Sequence, residues 1–379
     1  PEFKDYWQDP DSLFIKTDIP KKDLVKRSIY QSDATTFSWF IDNEKGGHPP
    51  VSDILSSLFN VILFQKLGVI NDIDSYSVYG IFISSLLILV IFVWISEIYG
   101  VFAGLAASVS LAIYPLFWAE SHFNVEKDIP ETVFYSLFLY FVWKGITLKR
   151  YKWILISGIL LGLALGTKLN ILFSVFILTP WLFALLKTKL FYNWKLFLSF
   201  LGVIVIAIVI LIGSWPFLWP DIISGIYKVI SFYKTIGLTN NINPRFLGPF
   251  GTNSYPITWI IYSTPLVILF FAFIGIIYSF RKLGFKNYSS LLFLLWLAIT
   301  ITRVSIGGTT VYGGVRQIME FIPALAILSG IGAWQLRSFF NKFVNLKISS
   351  FMVFILFVPI IIKLISIHPN ENVYFNPLI

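Results

Sequence analysis

The 379-residue chain contains no cysteine, which excludes disulfide bonds, thiol catalysis and cysteine-ligated metals. Histidine is scarce too, at three residues: His48, His122 and His368. Charged residues make up only 13% of the chain against 56% hydrophobic and 18% aromatic, with a mean hydropathy of +0.77. That balance rules out an ordinary water-soluble globule. The net charge of +9 comes from no single basic patch interleaved with aromatics, so it gives no reason to expect a nucleic-acid partner. No internal repeat is visible either.

What the chain does have is a series of long apolar segments. On a window of about 20 residues, enough to cross ~30 Å of hydrocarbon, ten candidate spans emerge. They lie at 78–98, 100–118, 130–147, 152–167, 170–186, 195–216, 258–280, 289–302, 319–336 and 350–367. The fold class expected is an all-α polytopic membrane protein. Residues 1–50 are polar, with nine acids and seven bases, and contain no candidate span. The run Val51 to Leu67 carries Asp53, Ser56, Ser57, Asn60 and Gln65 among its apolar residues, and reads as an amphipathic helix lying at the interface.

The charges orient these spans. The connections at 144–152, 187–195, 281–286 and 337–347 hold thirteen Lys and Arg and no acid, which places them in the cytoplasm by the positive-inside rule. Alternation then gathers residues 1–77, the loop from Glu120, the connection at Lys168, the loops 217–257 and 303–318 and the tail after Ile367 on the outer side. All three histidines share that side. Three regions follow: an outer loop with a juxtamembrane helix at 1–77, a membrane domain at 78–367, and an outer tail beginning at 368–379.

The densest polar stretch is Glu120 to Glu131, with Glu120, His122, Glu126, Lys127, Asp128 and Glu131 between two apolar segments. Ionisable groups at such a boundary point to function, against the plain alternative of a solvated connecting loop. Asp128 precedes Ile129-Pro130 at a helix start, where it would serve either as a cap or as a reacting-centre carboxylate. The segment Gly313-Gly314-Val315-Arg316, with Gly307 and Gly308 upstream, would present backbone amides and a guanidinium to an anion. His48, beside Pro49 and Pro50, is expected to cap the following helix. His122 with Asp128 offers a weak divalent-metal pair, its spacing matching no closed metal motif.

Five short pieces occur together in order: His48-Pro49-Pro50; Ser121-His122-Phe123-Asn124 with Lys127-Asp128-Ile129-Pro130; Leu165-Gly166-Thr167-Lys168-Leu169-Asn170; Gly313-Gly314-Val315-Arg316-Gln317 with Phe321-Ile322-Pro323; and His368-Pro369 with Tyr374-Phe375-Asn376. With these the chain resembles the protein O-mannosyltransferase-like group of C-type membrane glycosyltransferases from residue 48 onward. The resemblance implies transfer of a sugar, hexosyl or mannosyl, from a polyprenyl-phosphate donor to a hydroxyl on a protein, lipid or glycan, with inversion. It implies the C-type fold with an interfacial helix in the first outer loop, and a catalytic face outside the cell membrane. Asp128 becomes a supporting carboxylate, and Arg316, Lys168 and Lys127 become phosphate partners, with His48, Glu120, His122 and Arg245 as further candidates. A divalent cation is the one cofactor the resemblance leaves open.

The family's principal acid, commonly an Asp-Glu pair after a first span, has no counterpart among Asp5, Asp9, Asp11, Asp33, Asp42 or Glu44. It is expected upstream of Pro1. A transporter or flippase of a lipid-linked or anionic solute is the alternative reading. It would call for repeats and mid-span charges, whereas Glu97 and Lys363 lie near segment ends. Richness in Ile, Lys, Phe and Asn points to a prokaryote of low genomic G+C.

Overall fold

The computed structural model describes residues 48–186, 194–238, 243–283, 288–306 and 313–379. Expectations for residues 1–47, and for Lys187, Lys189, Lys286, Gly307 and Gly308, lie outside the described residues. Among the described residues every named element is a helix, and all ten apolar segments fall on helices. In order these are α1 (Val51–Asn60), α2 (Asp72–Tyr99), α3 (Val101–Ala112), α4 (Pro115–Phe123), α5 (Asp128–Thr147), α6 (Tyr151–Leu165), α7 (Ser174–Leu186), α8 (Trp194–Ser214), α9 (Ile222–Leu238), α10 (Tyr255–Ser263), α11 (Leu266–Lys282), α12 (Tyr288–Ser305), α13 (Phe321–Phe340), α14 (Leu346–Phe354) and α15 (Val358–Ile367).

The chain is a multi-pass membrane protein, but the count of ten spans is not confirmed. Among the described residues four helices are long and apolar enough to cross a bilayer, or up to six if each of two bent pairs is one span. The bends have a local cause. Tyr114 and Thr264 precede prolines, which push the preceding residue out of helical geometry, and both adopt extended backbone. α3 and α4 consequently diverge by 61°, and α10 and α11 by 116°.

The two breaks meet. The Tyr114 and Thr264 hydroxyls share a buried 2.7 Å hydrogen bond. Asn376 Nδ2 donates to the carbonyls of Ile261 and Thr264 at 2.6 and 2.8 Å, satisfying acceptors that the break would otherwise leave without partners in an apolar interior. The Tyr374-Phe375-Asn376 tail thereby acquires a structural role.

Two helices form the centre. α5 is buried around nearly its whole circumference, and so is α13 from Phe321 to Ala333. A helix apolar on every side belongs inside the bundle. Around them pack α2, α3, α6, α11 and α12, with Trp94 and Trp296 stacked at 6.3 Å and Tyr135 on Trp296 at 6.1 Å. Over α5, Asp128 and Lys144 are separated by sixteen residues, about 24 Å at the α-helical rise of ~1.5 Å per residue. Lys144 pairs with Glu97 at 2.8 Å at one end of the bundle, so the polar residues around Asp128 gather at the other.

The juxtamembrane helix is amphipathic as expected, but it changes character at Val61, where a π-helical turn runs to Lys66. Its start is docked on the polypeptide. Val51 N–H donates to the Gly166 carbonyl at 2.8 Å, and a Cβ at Gly166 would sit 2.3 Å from the Val51 side chain, so this approach requires glycine. One further element departs from the sequence expectation: the outer loop at 217–257 contains helix α9, whose Lys228 and Lys234 interrupt the apolar run that would have marked it.

Candidate functional site

The site is built where the N-terminal ends of the two central helices converge. Asp128 is the first residue of α5, and Arg316 and Gln317 form the 3₁₀ turn Arg316–Ile318 that leads into α13. α6 ends at Leu165, and Gly166-Thr167 turns the chain so that Lys168 reaches the same place in extended conformation. Three segments, distant in sequence, thus deliver one carboxylate and two cations.

Asp128 is paired with both cations. Its Oδ1 lies 2.7 Å from Lys168 Nζ, and its Oδ2 lies 3.1 Å from Arg316 Nε. Asn124 Nδ2 donates to Oδ2 at 2.7 Å and bridges to Glu120 Oε2 at 2.8 Å. Lys168 Nζ also donates to the Gln317 carbonyl at 3.0 Å, which Asn170 Nδ2 shares at 3.0 Å. The side chains differ sharply in exposure: 11% for Asp128, 15% for Lys168 and 46% for Arg316. The cap position of α5 is Lys127, and the Asp128 carboxylate meets Lys168 and Asn124.

That arrangement sorts the chemistry. Lys168 is enclosed and donates to two acceptors, whereas Arg316 is paired through Nε and its side chain is nearly half exposed. A guanidinium fixed on one edge is suited to an incoming oxyanion on the other. Two helix N-termini nearby add positive potential. The Asp128, Lys168 and Arg316 charges sum to +1.

Gly313 and Gly314 adopt φ of +67° and +69°, conformations that favour glycine, and they swing the chain into the Arg316 turn. The expectation that this turn offers free amides is corrected at Gly314, whose N–H donates to the Tyr255 hydroxyl at 3.0 Å.

The remaining candidates fall around this centre or away from it. Glu120 joins through Asn124. Lys127 sits at the head of α5, 4.0 Å from Glu126, and does not join the Asp128 cluster. His48 does not cap α1. The cap position is Pro50, with no side-chain bond, and His48 Nδ1 instead contacts the Tyr233 hydroxyl of α9 at 3.0 Å. Partial desolvation against Phe232 and Tyr233, followed by the Lys127 and Lys168 charges, pushes its imidazole down to about 4. His48 is therefore neutral at physiological pH. Asp53 on α1 is pushed up to about 6, by burial first and then by the Glu126 carboxylate. Arg245 lies exposed in the 3₁₀ turn Pro244–Phe246, and no ion pair among the described residues ties it to Asp128.

His122 and Asp128 each have protein partners of their own. His122 Nδ1 is held by the Trp118 carbonyl at 2.8 Å and by Ser121 Oγ at 3.1 Å, with its ring against Trp118. Both oxygens of Asp128 already serve cations. Among the described residues no group of three or more acidic or imidazole ligands is assembled for a metal.

Sequence reasoning missed Asn124, Asn170 and the Gln317 carbonyl as members of the site. It also missed a supporting pair: Arg303 of α12 is bonded to Glu320, and both are almost entirely buried. The Arg303 guanidinium lies 4.7 Å over the Phe173 ring. The available signal was a lone charge at the end of each apolar segment.

Comparison with known proteins bears out the family resemblance over part of the chain. Residues 47–217 match the family described as dolichyl-phosphate-mannose-protein mannosyltransferase, a range that contains Asp128 and Lys168. No curated protein matches the chain by sequence. Among solved structures, ArnT from Cupriavidus metallidurans in the apo state is similar at 17% identity and a TM-score of 0.55, over 82% of this chain and 60% of that one. The archaeal oligosaccharyltransferase AglB from Archaeoglobus fulgidus, solved with an inhibitory peptide and a dolichol-phosphate, aligns at 15% identity and a TM-score of 0.47, over 98% of this chain and 56% of that one. The chain therefore spans less than two thirds of the length of either structure, and with ArnT it shares the fold.

Proposed function

We propose that the protein transfers a sugar, hexosyl or mannosyl, from a polyprenyl-phosphate donor to an acceptor hydroxyl at the outer face of the cell membrane. The observation that carries the reading is the partly exposed Arg316 fork fixed through Nε by Asp128, with Lys168 locking the opposite carboxylate oxygen. The family match over residues 47–217 and the ArnT-like fold support the same chemistry. The thirteen basic residues of the opposite loops support the outer placement.

In this reaction the acceptor oxygen attacks the anomeric carbon, the carbon–oxygen bond to phosphate breaks with inversion, and the polyprenyl phosphate leaves with the bonding pair. The accessible N–H groups of Arg316 stabilise the charge that accumulates on the leaving phosphate. Asp128 sets the guanidinium plane, and Lys168 holds Asp128 in place. The proton of the acceptor hydroxyl goes to a general base other than Asp128, because both Asp128 oxygens are committed to cations. A transporter reading is not favoured, since the ion cluster sits at the end of the bundle and not midway along a span.

The test is donor turnover by the complete protein in proteoliposomes, using polyprenyl-phosphate-linked radiolabelled mannose and following release of polyprenyl phosphate. Transfer to a hydroxyl acceptor supports the reading. Passage of intact donor across the bilayer without transfer overturns it.

A further inference from the structure

A cavity of about 390 Å³ opens beside the Arg316 turn and is used by none of the steps above. Its wall combines three ring-bearing residues, Tyr255, Trp259 and Tyr374, with Glu371, Asn372 and Gly314. The size lies within the ordinary range for small-ligand sites. Its lining is mixed, with broad ring faces on one hand and a carboxylate and an amide on the other. This is the surface that a sugar ring needs, because a pyranose presents a patch of C–H bonds on its face and hydroxyls around its edge. A lipid tail has no use for the carboxylate, and a bare phosphate has no use for the rings.

The wall is set in advance. Trp259 is braced between Tyr255 and Phe375, with ring centroids at 5.7 and 5.2 Å. Tyr255 is fixed by the Gly314 N–H. Glu371 is 4% exposed, and its Oε1 is held by His368 Nδ1 at 2.6 Å. The His368-Pro369 motif, which the reaction above leaves without a role, thereby acquires one in orienting this carboxylate.

The position is equally informative. Val315 lines the cavity and the next residue is Arg316, whose Cα must lie about 3.8 Å further along the chain. The cavity therefore borders the turn whose Arg316 is proposed to hold the phosphate. We infer that this cavity is a pyranose subsite, in which Trp259 and Tyr255 stack on the ring face and Glu371 accepts hydrogen bonds from its hydroxyls. The inference rests on the glycosyl-transfer reading for which molecule supplies the ring: the donor's sugar, or a sugar of the acceptor.

Binding is read without turnover, by saturation-transfer NMR on the complete protein in nanodiscs with methyl α-D-mannopyranoside and methyl β-D-glucopyranoside, and glycerol as the control. Ring C–H signals above the glycerol level are expected for at least one glycoside. They should be lost in Trp259→Ala, retained in Trp259→Phe, and weakened at least about threefold in Glu371→Gln, while Arg316→Lys leaves them unchanged. No transfer above glycerol in the wild-type protein, or unchanged signals in both Trp259→Ala and Glu371→Gln, overturns the subsite. Should Trp259→Ala fail to fold, Glu371→Gln and Trp259→Phe still decide.

Turnover then names the source. A donor KM raised at least about fivefold in Glu371→Gln, with the acceptor KM unchanged, assigns the donor's ring, and the reverse assigns the acceptor's. Glycoside binding by a protein that transfers no sugar from any donor would retain the subsite and reject the proposed reaction.

Discussion

Arg316 is oriented by Asp128 through a single edge of its fork. Asp128 Oδ2 takes the Nε atom at 3.1 Å, and 46% of the arginine side chain remains accessible. The carboxylate is itself pinned on its other oxygen by Lys168, so the three charges form a chain that ends in an accessible cation. An isolated surface arginine would sample many rotamers. Here one ion pair and two helix starts define where the guanidinium points.

Replacing Asp128 by Asn tests the orienting role. The amide keeps an acceptor for Lys168 but directs a donor toward Arg316. Donor turnover should fall at least about tenfold, equivalent to ~1.4 kcal/mol in the barrier, while folded yield is retained. Normal kcat/KM in a well-folded Asp128→Asn protein would leave Arg316 positioned by something else.

The buried Arg303–Glu320 pair predicts a stability effect separate from chemistry. Removing one partner of a buried pair typically costs about 3–5 kcal/mol, because the other charge remains without compensation. Glu320→Ala should therefore lower the thermal midpoint clearly, and the double variant Arg303→Met with Glu320→Leu should recover much of it. Equal loss in the single and double variants would show that the two side chains do not compensate one another.

Asp53 gives a pH dependence with a defined sign. Its folded-state value of about 6 lies above the ordinary 3.8, so between these the folded protein binds the proton more tightly than the unfolded chain does. Asp53 therefore makes stability fall as pH rises from about 4 to about 6, and its contribution levels off on either side. Asp53→Asn should flatten that part of the thermal-midpoint profile and raise the midpoint at neutral pH. A profile identical to the wild type across this window would contradict the assignment.

Orientation in the membrane is testable against a clean background, because the chain has no cysteine. Glu126, whose side chain is 71% exposed next to the site, and the exposed Arg150 at the far end of α5 are suitable reporters. Glu126→Cys should react with an impermeant thiol reagent in intact cells, and Arg150→Cys only after permeabilisation. The opposite pattern would invert the topology.

Much of this site was legible in the sequence for a simple reason. Asp128, Lys168 and Arg316 are charges at the ends of apolar segments, where an unneeded charge is costly, and the structure brings all three together. The Gln317 carbonyl could not be read, since a backbone acceptor leaves no mark on residue type. Asn124 was visible in its motif but not as a bridge, because its role depends on Glu120 and Asp128 lying on either side of a turn. The helical segments were legible from hydropathy, but the breaks before Pro115 and Pro265 were not, because a proline only disfavours helical geometry for its predecessor and Ile129 and Ile322 stay helical before theirs. His48 was misassigned because a residue beside two prolines suits a cap, whereas its partner, Tyr233, lies 185 residues away.

The central claim, that the exposed fork of Arg316 holds the donor's phosphate, is tested most directly by equilibrium binding of sugar-free polyprenyl phosphate to the complete protein in nanodiscs, comparing wild type with Arg316→Lys. Lysine keeps the charge but loses both the planar fork and the Nε contact to Asp128. The account predicts a Kd weakened at least about tenfold with an unchanged thermal midpoint; an unchanged Kd would contradict it and place the phosphate on another cation.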